Sequence, residues 1–161
     1  MNSRPLFMDD YEKKLNSFLK ENDSHAELLI FDKSCHSVAE AAETAKVCPT
    51  NFIKSICMID TNGDLIVAIV KGEDRASTSR VSKSLTINRP RIATPNEMLE
   101  KTGYPCGGTP PFGYVATFLI DPKVMEKEVV YGGGGSECAL VKVTTKELKR
   151  LNNGMITRVS K

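Results

Sequence analysis

The stretch "NFIKSICMIDTNGDLIVAIVKG", residues 51–72, decides the fold. Two runs rich in apolar and β-branched residues flank Asn62-Gly63, a dipeptide that accepts the positive φ angles of a tight turn. The pattern predicts a β-hairpin. Both runs are apolar on both faces, which places the hairpin centrally in a sheet rather than at an edge.

Upstream, "MDDYEKKLNSFLKE" (8–21) sets Tyr11, Leu15, Phe18 and Leu19 on one helical face. "AELLIFD" (26–32) reads as a strand, and "SVAEAAETAKV" (37–47) opens a helix with Ser37 and Glu40 as a capping box. Downstream, "SRVSKSL" predicts a short helix. "TPNEMLEKTG" (94–103) predicts another, capped by Thr94 and Glu97, started by Pro95 and stopped by Gly103. "YVATFLID" (114–121), "EVVYG" (128–132) and "CALVKVT" read as strands, with a glycine-rich turn over 132–135. "TTKELKRLN" is a capped helix and "MITRVS" a last strand or tail. Strands and helices mix without strict alternation, which gives an α+β fold on a mixed sheet. With 161 residues the chain is one domain. Residues 1–24 carry an N-terminal helix that belongs to one structural unit with residues 25–161.

A hydrophobic fraction of 40% with 26% charged residues is that of a soluble globular protein. No run reaches the roughly 18 apolar residues of a membrane span, and "MNSRPLFMDDYEKK" lacks the apolar core and cleavage site of a signal peptide. The expected location is the cytoplasm, with no membrane partner. The cysteines, Cys35, Cys48, Cys57, Cys106 and Cys138, are odd in number, form no CxxC pair, and read as reduced thiols. His25 and His36 have no metal-ligand spacing and read as structural, so neither a metal nor a cofactor is expected. The net charge of +2 implies nothing by itself, but residues 75–96 carry Arg75, Arg80, Lys83, Arg89 and Arg91 with no acid among them. Such a run marks either a solvated surface or a face that meets phosphate.

Four features can carry chemistry. Lys54 is the one charge in "NFIKSICMI". Such a lysine either snorkels to water from a strand end or projects into a pocket, where it meets a phosphate, carboxylate or oxyanion. "TGYPCGGTPPFG" (102–113) holds four glycines and three prolines. Gly107 and Gly108 either let a ligand approach the backbone closely or belong to a purely structural Ω-type loop, while Pro110 and Pro111 stiffen the segment and restrict Thr109. The loop is neither a Walker A nor a dinucleotide fingerprint, since GK[ST] and GxGxxG are absent and a strand follows it. "YGGGGSE" (131–137) permits a tight turn or a nest of backbone donors. Cys106 invites a nucleophile reading but has no histidine near it in sequence.

In their order "SVAEAAETAKV", "FIKSICMI", "LIVAIVKGEDR", "TGYPCGGTPPFG" and "GGGGSECALVKVTTKEL" resemble the YbaK family of aminoacyl-tRNA-associated, prolyl-tRNA-synthetase editing domains. The resemblance runs from about residue 25 to 155. It implies one compact domain with a mixed, partly barrel-like β-sheet flanked by helices. It implies hydrolysis of misacylated tRNA, typically tRNA-Pro carrying cysteine or alanine, with prolyl-tRNA synthetase as an associated partner. The family lysine falls on Lys54, and the GxxxP motif on Gly107–Pro111. Gly134–Glu137 fall where the family closes the same pocket. Some members carry histidine or aspartate there, and this sequence has Ser136 and Glu137. The expected catalytic groups are Lys54, Gly107 and Gly108, and the substrate-binding ones Thr109, Pro110, Pro111, Gly134, Gly135 and Ser136. The expected tRNA face is Arg75, Arg80, Lys83, Arg89 and Arg91. Two other readings fit the residues: a non-catalytic module that binds tRNA or a synthetase, and a cysteine hydrolase built on Cys106.

Overall fold

The computed structural model describes residues 8–32 and 37–161; Cys35 and His36 lie outside the described residues. The hairpin forms as β2 (Ile53–Ile59) and β3 (Leu65–Lys71), paired antiparallel from Ile53↔Lys71 to Ile59↔Leu65. Its turn is longer than a two-residue type. Asp60 pairs with Asp64, Asp60 N–H donating to the Asp64 C=O at 3.0 Å. Gly63 alone takes positive φ, at +84°. The Asp60 carboxylate accepts the N–H groups of Asn62 and Asp64 at 2.8 and 2.9 Å, holding the loop by side chain rather than by a second left-handed residue.

Local caps set the helices. In α1 (Asp10–Glu21) the Asp9 carboxylate accepts Glu12 N–H at 2.7 Å and Asp9 N–H donates to Glu12 at 3.0 Å. Leu15 and Leu19 are its buried apolar stripe. Ser37 caps α2 (Val38–Ala45), Ser77 caps α3 (Thr78–Leu85), and Thr144 caps α6 (Thr145–Asn152). Thr94 and Glu97 form the box of α4 (Pro95–Thr102), which Gly103 stops at φ +80°.

The remaining strands are β1 (Glu27–Ile30), β4 (Arg91–Ile92), β5 (Thr117–Ile120), β6 (Val129–Gly133), β7 (Ala139–Thr144) and β8 (Met155–Ile156), with a short α5 (Pro122–Met125) after β5. They form two sheets, ordered β4-β2-β3-β5-β8 and β1-β7-β6. In the first, β2 pairs antiparallel with β3 and β4, while β3–β5 and β5–β8 are parallel. The second is antiparallel throughout. The fold is therefore α+β on mixed sheets, with the hairpin strands internal as expected. The sheets do not close into a barrel; a parallel bridge between Phe52 and Tyr131 joins them. Gly132 ends the expected strand, and Gly133, read from sequence as turn only, is strand as well, because Leu140 pairs with it. The main core packs Leu15, Val67, Ile69, Tyr104, Phe112 and Ile120 between α1 and the sheets. Burying such side chains stabilises by about 1.5–3 kcal/mol each.

Candidate active site

A cavity of about 350 Å³ lies where the two sheets meet. Its walls are Phe52–Ile56 at β2, the first turn of α2, Tyr131–Gly133 of β6, and Cys106, Gly107 and Thr109 of the glycine-proline loop. This is the size of a small-molecule site, and most of the lining is apolar.

The β2 wall is an open strand edge. Gly72 N–H donates to the Phe52 C=O at 2.7 Å, so the even-numbered residues of β2 bond to β3 and the odd-numbered ones turn their backbone groups the other way. Cys57 follows this parity, accepting Ala93 N–H at 2.9 Å. β4 pairs with β2 only at Met58 and Ile59. Between the β4 pairing and the Phe52–Tyr131 bridge, Ser55 therefore turns its N–H and C=O to an edge that no strand pairs among the described residues, and it lines the cavity.

Lys54 follows the opposite parity, so its backbone bonds to β3 opposite Val70 while its half-buried side chain lines the cavity. Its ammonium has no hydrogen-bond or ion-pair partner among the described residues. Across the cavity, the Pro105 C=O accepts both Gly108 N–H at 3.0 Å and the Thr109 hydroxyl at 3.1 Å, which tightens the loop. Gly107 sits at φ +91°. The N–H groups of Cys106, Gly107 and Thr109 donate to no protein acceptor among the described residues.

The other predicted residues sit behind this wall. A Cβ on Gly108 would lie 2.7 Å from Ser136 N and 2.8 Å from Gly135 C. The Gly108 C=O accepts Gly135 N–H at 2.8 Å. A Cβ on Gly133 would strike the Thr109 carbonyl oxygen. The two glycine-rich segments thus pack backbone against backbone. Pro110 and Pro111 are buried, and their carbonyls accept the Tyr114 hydroxyl at 2.7 Å and the Asn152 amide at 3.0 Å. The buried Ser136 hydroxyl donates to Glu12 at 2.5 Å, tying α1 to the second glycine segment. Lys54, Gly107 and Thr109 are thus brought together at the cavity, while Gly108, Pro110, Pro111, Gly134, Gly135 and Ser136 form the support of its loop wall.

The basic residues lie on and around α3, and none lines the cavity. Arg75, Lys83, Arg89 and Arg91 are exposed and Arg80 is half-buried. Arg91 is held by a two-pronged bond to Glu97, both contacts 2.7 Å, which pulls the Glu97 carboxyl down to about 2. Arg89 Nε donates to the Thr78 hydroxyl at 2.7 Å. Cys106 is exposed and lines the cavity. His25 lines a separate cavity of about 150 Å³. Burial pushes the Cys57 thiol up to about 12, with Cys106 adding a smaller push. Sequence reasoning missed Ser55, Met98 and Tyr131 as lining residues. A two-residue turn at Asn62-Gly63 would have put the backbone groups of Ser55 against β3, so its parity became readable only with the longer turn of the structure.

The sequence model of the aminoacyl-tRNA editing domain matches residues 32–151. The chain belongs to the aminoacyl-tRNA editing domain family. The match takes in β2, the glycine-proline loop and the second glycine segment, and so every described element of the cavity. The editing domain is 30% identical over 124 residues to the protein YwhH of Bacillus subtilis (strain 168), covering 76% of this chain and 78% of that protein. The crystal structure of the hypothetical protein APE2540 superposes with a TM-score of 0.85 at 29% identity, covering 92% of this chain and 99% of that one. A crystal structure described as "a putative trans-editing enzyme for prolyl tRNA synthetase" shares the fold, with a TM-score of 0.88 at 23% identity over 96% of this chain and 99% of that one. Among the described residues no helix is long and apolar enough to cross a membrane.

Proposed function

We propose that this editing domain hydrolyses the ester of misacylated tRNA, acting in trans on tRNA-Pro that carries cysteine or alanine, alongside prolyl-tRNA synthetase. The observation that carries the reading is one cavity that holds the Lys54 ammonium opposite the N–H groups of Cys106 and Gly107, all of them without a protein partner among the described residues. An aminoacyl ester is already activated, so the protein need supply only position and charge stabilisation. Water adds to the ester carbonyl. The developing oxyanion accepts from the loop N–H groups, which the clasp with Gly135 holds in place before substrate arrives. The ester C–O bond then breaks and the terminal ribose oxygen takes the proton. Lys54 meets the phosphate or sugar of the 3′ end, and Arg80 and Lys83 meet the acceptor stem through its phosphates.

The test is single-turnover deacylation of Ala-, Cys-, Ser- and Pro-tRNA-Pro by the chain alone. Cys- or Ala-tRNA-Pro is turned over fastest, and Lys54→Ala lowers that rate at least about tenfold with an unchanged melting temperature. Native turnover by a folded Lys54→Ala protein removes Lys54 from the mechanism. No turnover of any charged tRNA leaves a binding module.

A further inference from the structure

The chain has 20 aspartate and glutamate residues, and every one lies within the described residues. None of them lines the cavity. Residues 33–36, outside the described residues, are Lys-Ser-Cys-His and contain no carboxylate. Among the described residues the charged side chain in the lining is Lys54 alone. The nearest acid along the α2 wall is Glu40, which is exposed and lies 3.4 Å from the Ser37 hydroxyl. A protonated α-amino group entering this cavity loses its water and finds no protein carboxylate among the described lining residues to pair with. What the cavity does offer an α-substituent is a neutral acceptor: the Ser55 C=O on the open edge of β2. A hydroxyl or an uncharged amine satisfies that acceptor equally well.

We infer that the site takes acyl groups with an uncharged α-substituent, and so hydrolyses 2-hydroxyacyl esters of the tRNA 3′ end as well as aminoacyl esters. This rests on the ester-hydrolysis reading above. The chemistry is unchanged. The nucleophile's oxygen adds to the carbonyl carbon, the ester C–O bond breaks, and the ribose oxygen takes the proton. The products are a free 2-hydroxy acid and uncharged tRNA.

The experiment compares lactyl- and alanyl-tRNA-Pro, which differ only in hydroxyl for amine and are nearly equal in size. Each kcat/KM is divided by the uncatalysed hydrolysis rate of the same ester. The expected result is a lactyl value equal to or above the alanyl value. A site that paired the ammonium with a charge would lose at least about tenfold on lactyl. A loss of that size, with alanyl still hydrolysed, overturns the inference and leaves the hydrolase reading standing. Failure on both esters overturns the hydrolase reading and the inference with it. Glu40→Gln keeps the side-chain shape at the α2 cap and is expected to leave both rates unchanged. A selective loss on alanyl in that variant identifies Glu40 as the ammonium's partner and overturns the inference.

Discussion

Gly108→Ala tests the clasp between the two glycine segments. Its new Cβ would sit 2.7–2.8 Å from backbone atoms of Gly135 and Ser136, whereas ordinary contact begins near 3.4 Å. Neither neighbour is the tip of a flexible side chain, so the segments must part by about 0.7 Å. Overpacking of this kind costs about 1–3 kcal/mol. Parting also stretches the 2.8 Å bond from Gly135 N–H to the Gly108 C=O, which is worth about 1 kcal/mol. The expected loss is about 2–4 kcal/mol, or a fall in Tm of roughly 5–15 °C for a domain of this size. Gly63→Ala is the control. It has positive φ but no heavy atom within 4 Å of a new Cβ, so only the backbone penalty of about 1 kcal/mol applies. Thermal melts of the parent and both variants give the comparison, and deacylation well below the melting range gives the functional counterpart. Because the Gly107 N–H is carried by the same loop, the Gly108→Ala rate falls as well, while Gly63→Ala keeps its rate. A Gly108→Ala protein that melts within about 2 °C of the parent refutes the clasp.

The Arg150 guanidinium, with Ser24, holds the Glu147 carboxyl down to about 2. Its contribution to stability is complete above the ordinary glutamate range and is lost as pH falls from about 4.3 toward 2. Melts over that window fall more steeply for the parent than for Glu147→Gln. Arg80→Glu and Lys83→Glu weaken binding to all tRNAs alike and flatten the salt dependence by about one unit of log–log slope each. Arg91→Gln does less, because Glu97 already occupies its guanidinium; equal losses at all three positions in a filter-binding series contradict that ranking. Cys106→Ala changes deacylation by no more than about threefold, since no described histidine lines its cavity; loss of all activity returns the cysteine-hydrolase reading.

What was legible in the sequence was local. Ser37, Thr94 and Thr144 each cap a helix three residues before a glutamate, and a pattern four residues long suffices to see it. The hairpin's two-sided apolar runs gave its central place in the sheet. The two-residue β4 was hidden in the basic run, because Arg91 and Ile92 are exposed and carry no alternation to read. The four-residue α5 was given no element in the reading, although Asp121 and Pro122 are a cap and a first position. At the site, Lys54 and the glycine-proline loop stood out by composition. The work of Gly108 did not, because the backbone it abuts lies in another glycine segment and nothing in "CGGTPP" says whether a ligand or the chain itself comes close. The bond from Ser136 to Glu12 spans 124 positions and has no local signal. It also places α1, outside the matched residues 32–151, among the supports of the site.

β4 stops three residues short of the position opposite Ser55. Had it run on beside Ser55, the edge there would have been covered, as it is at Cys57 and Ile59. The sheet would have lost an exposed edge of the kind that recruits foreign strands. It would also have filled the cavity. The incompleteness is thus a shared resource: the same pair of backbone groups either finishes the sheet or remains available to whatever enters between the sheets. Selection for a more regular, more stable sheet at this edge runs directly against keeping the cavity. The shortness of β4 is the feature in which that conflict is resolved.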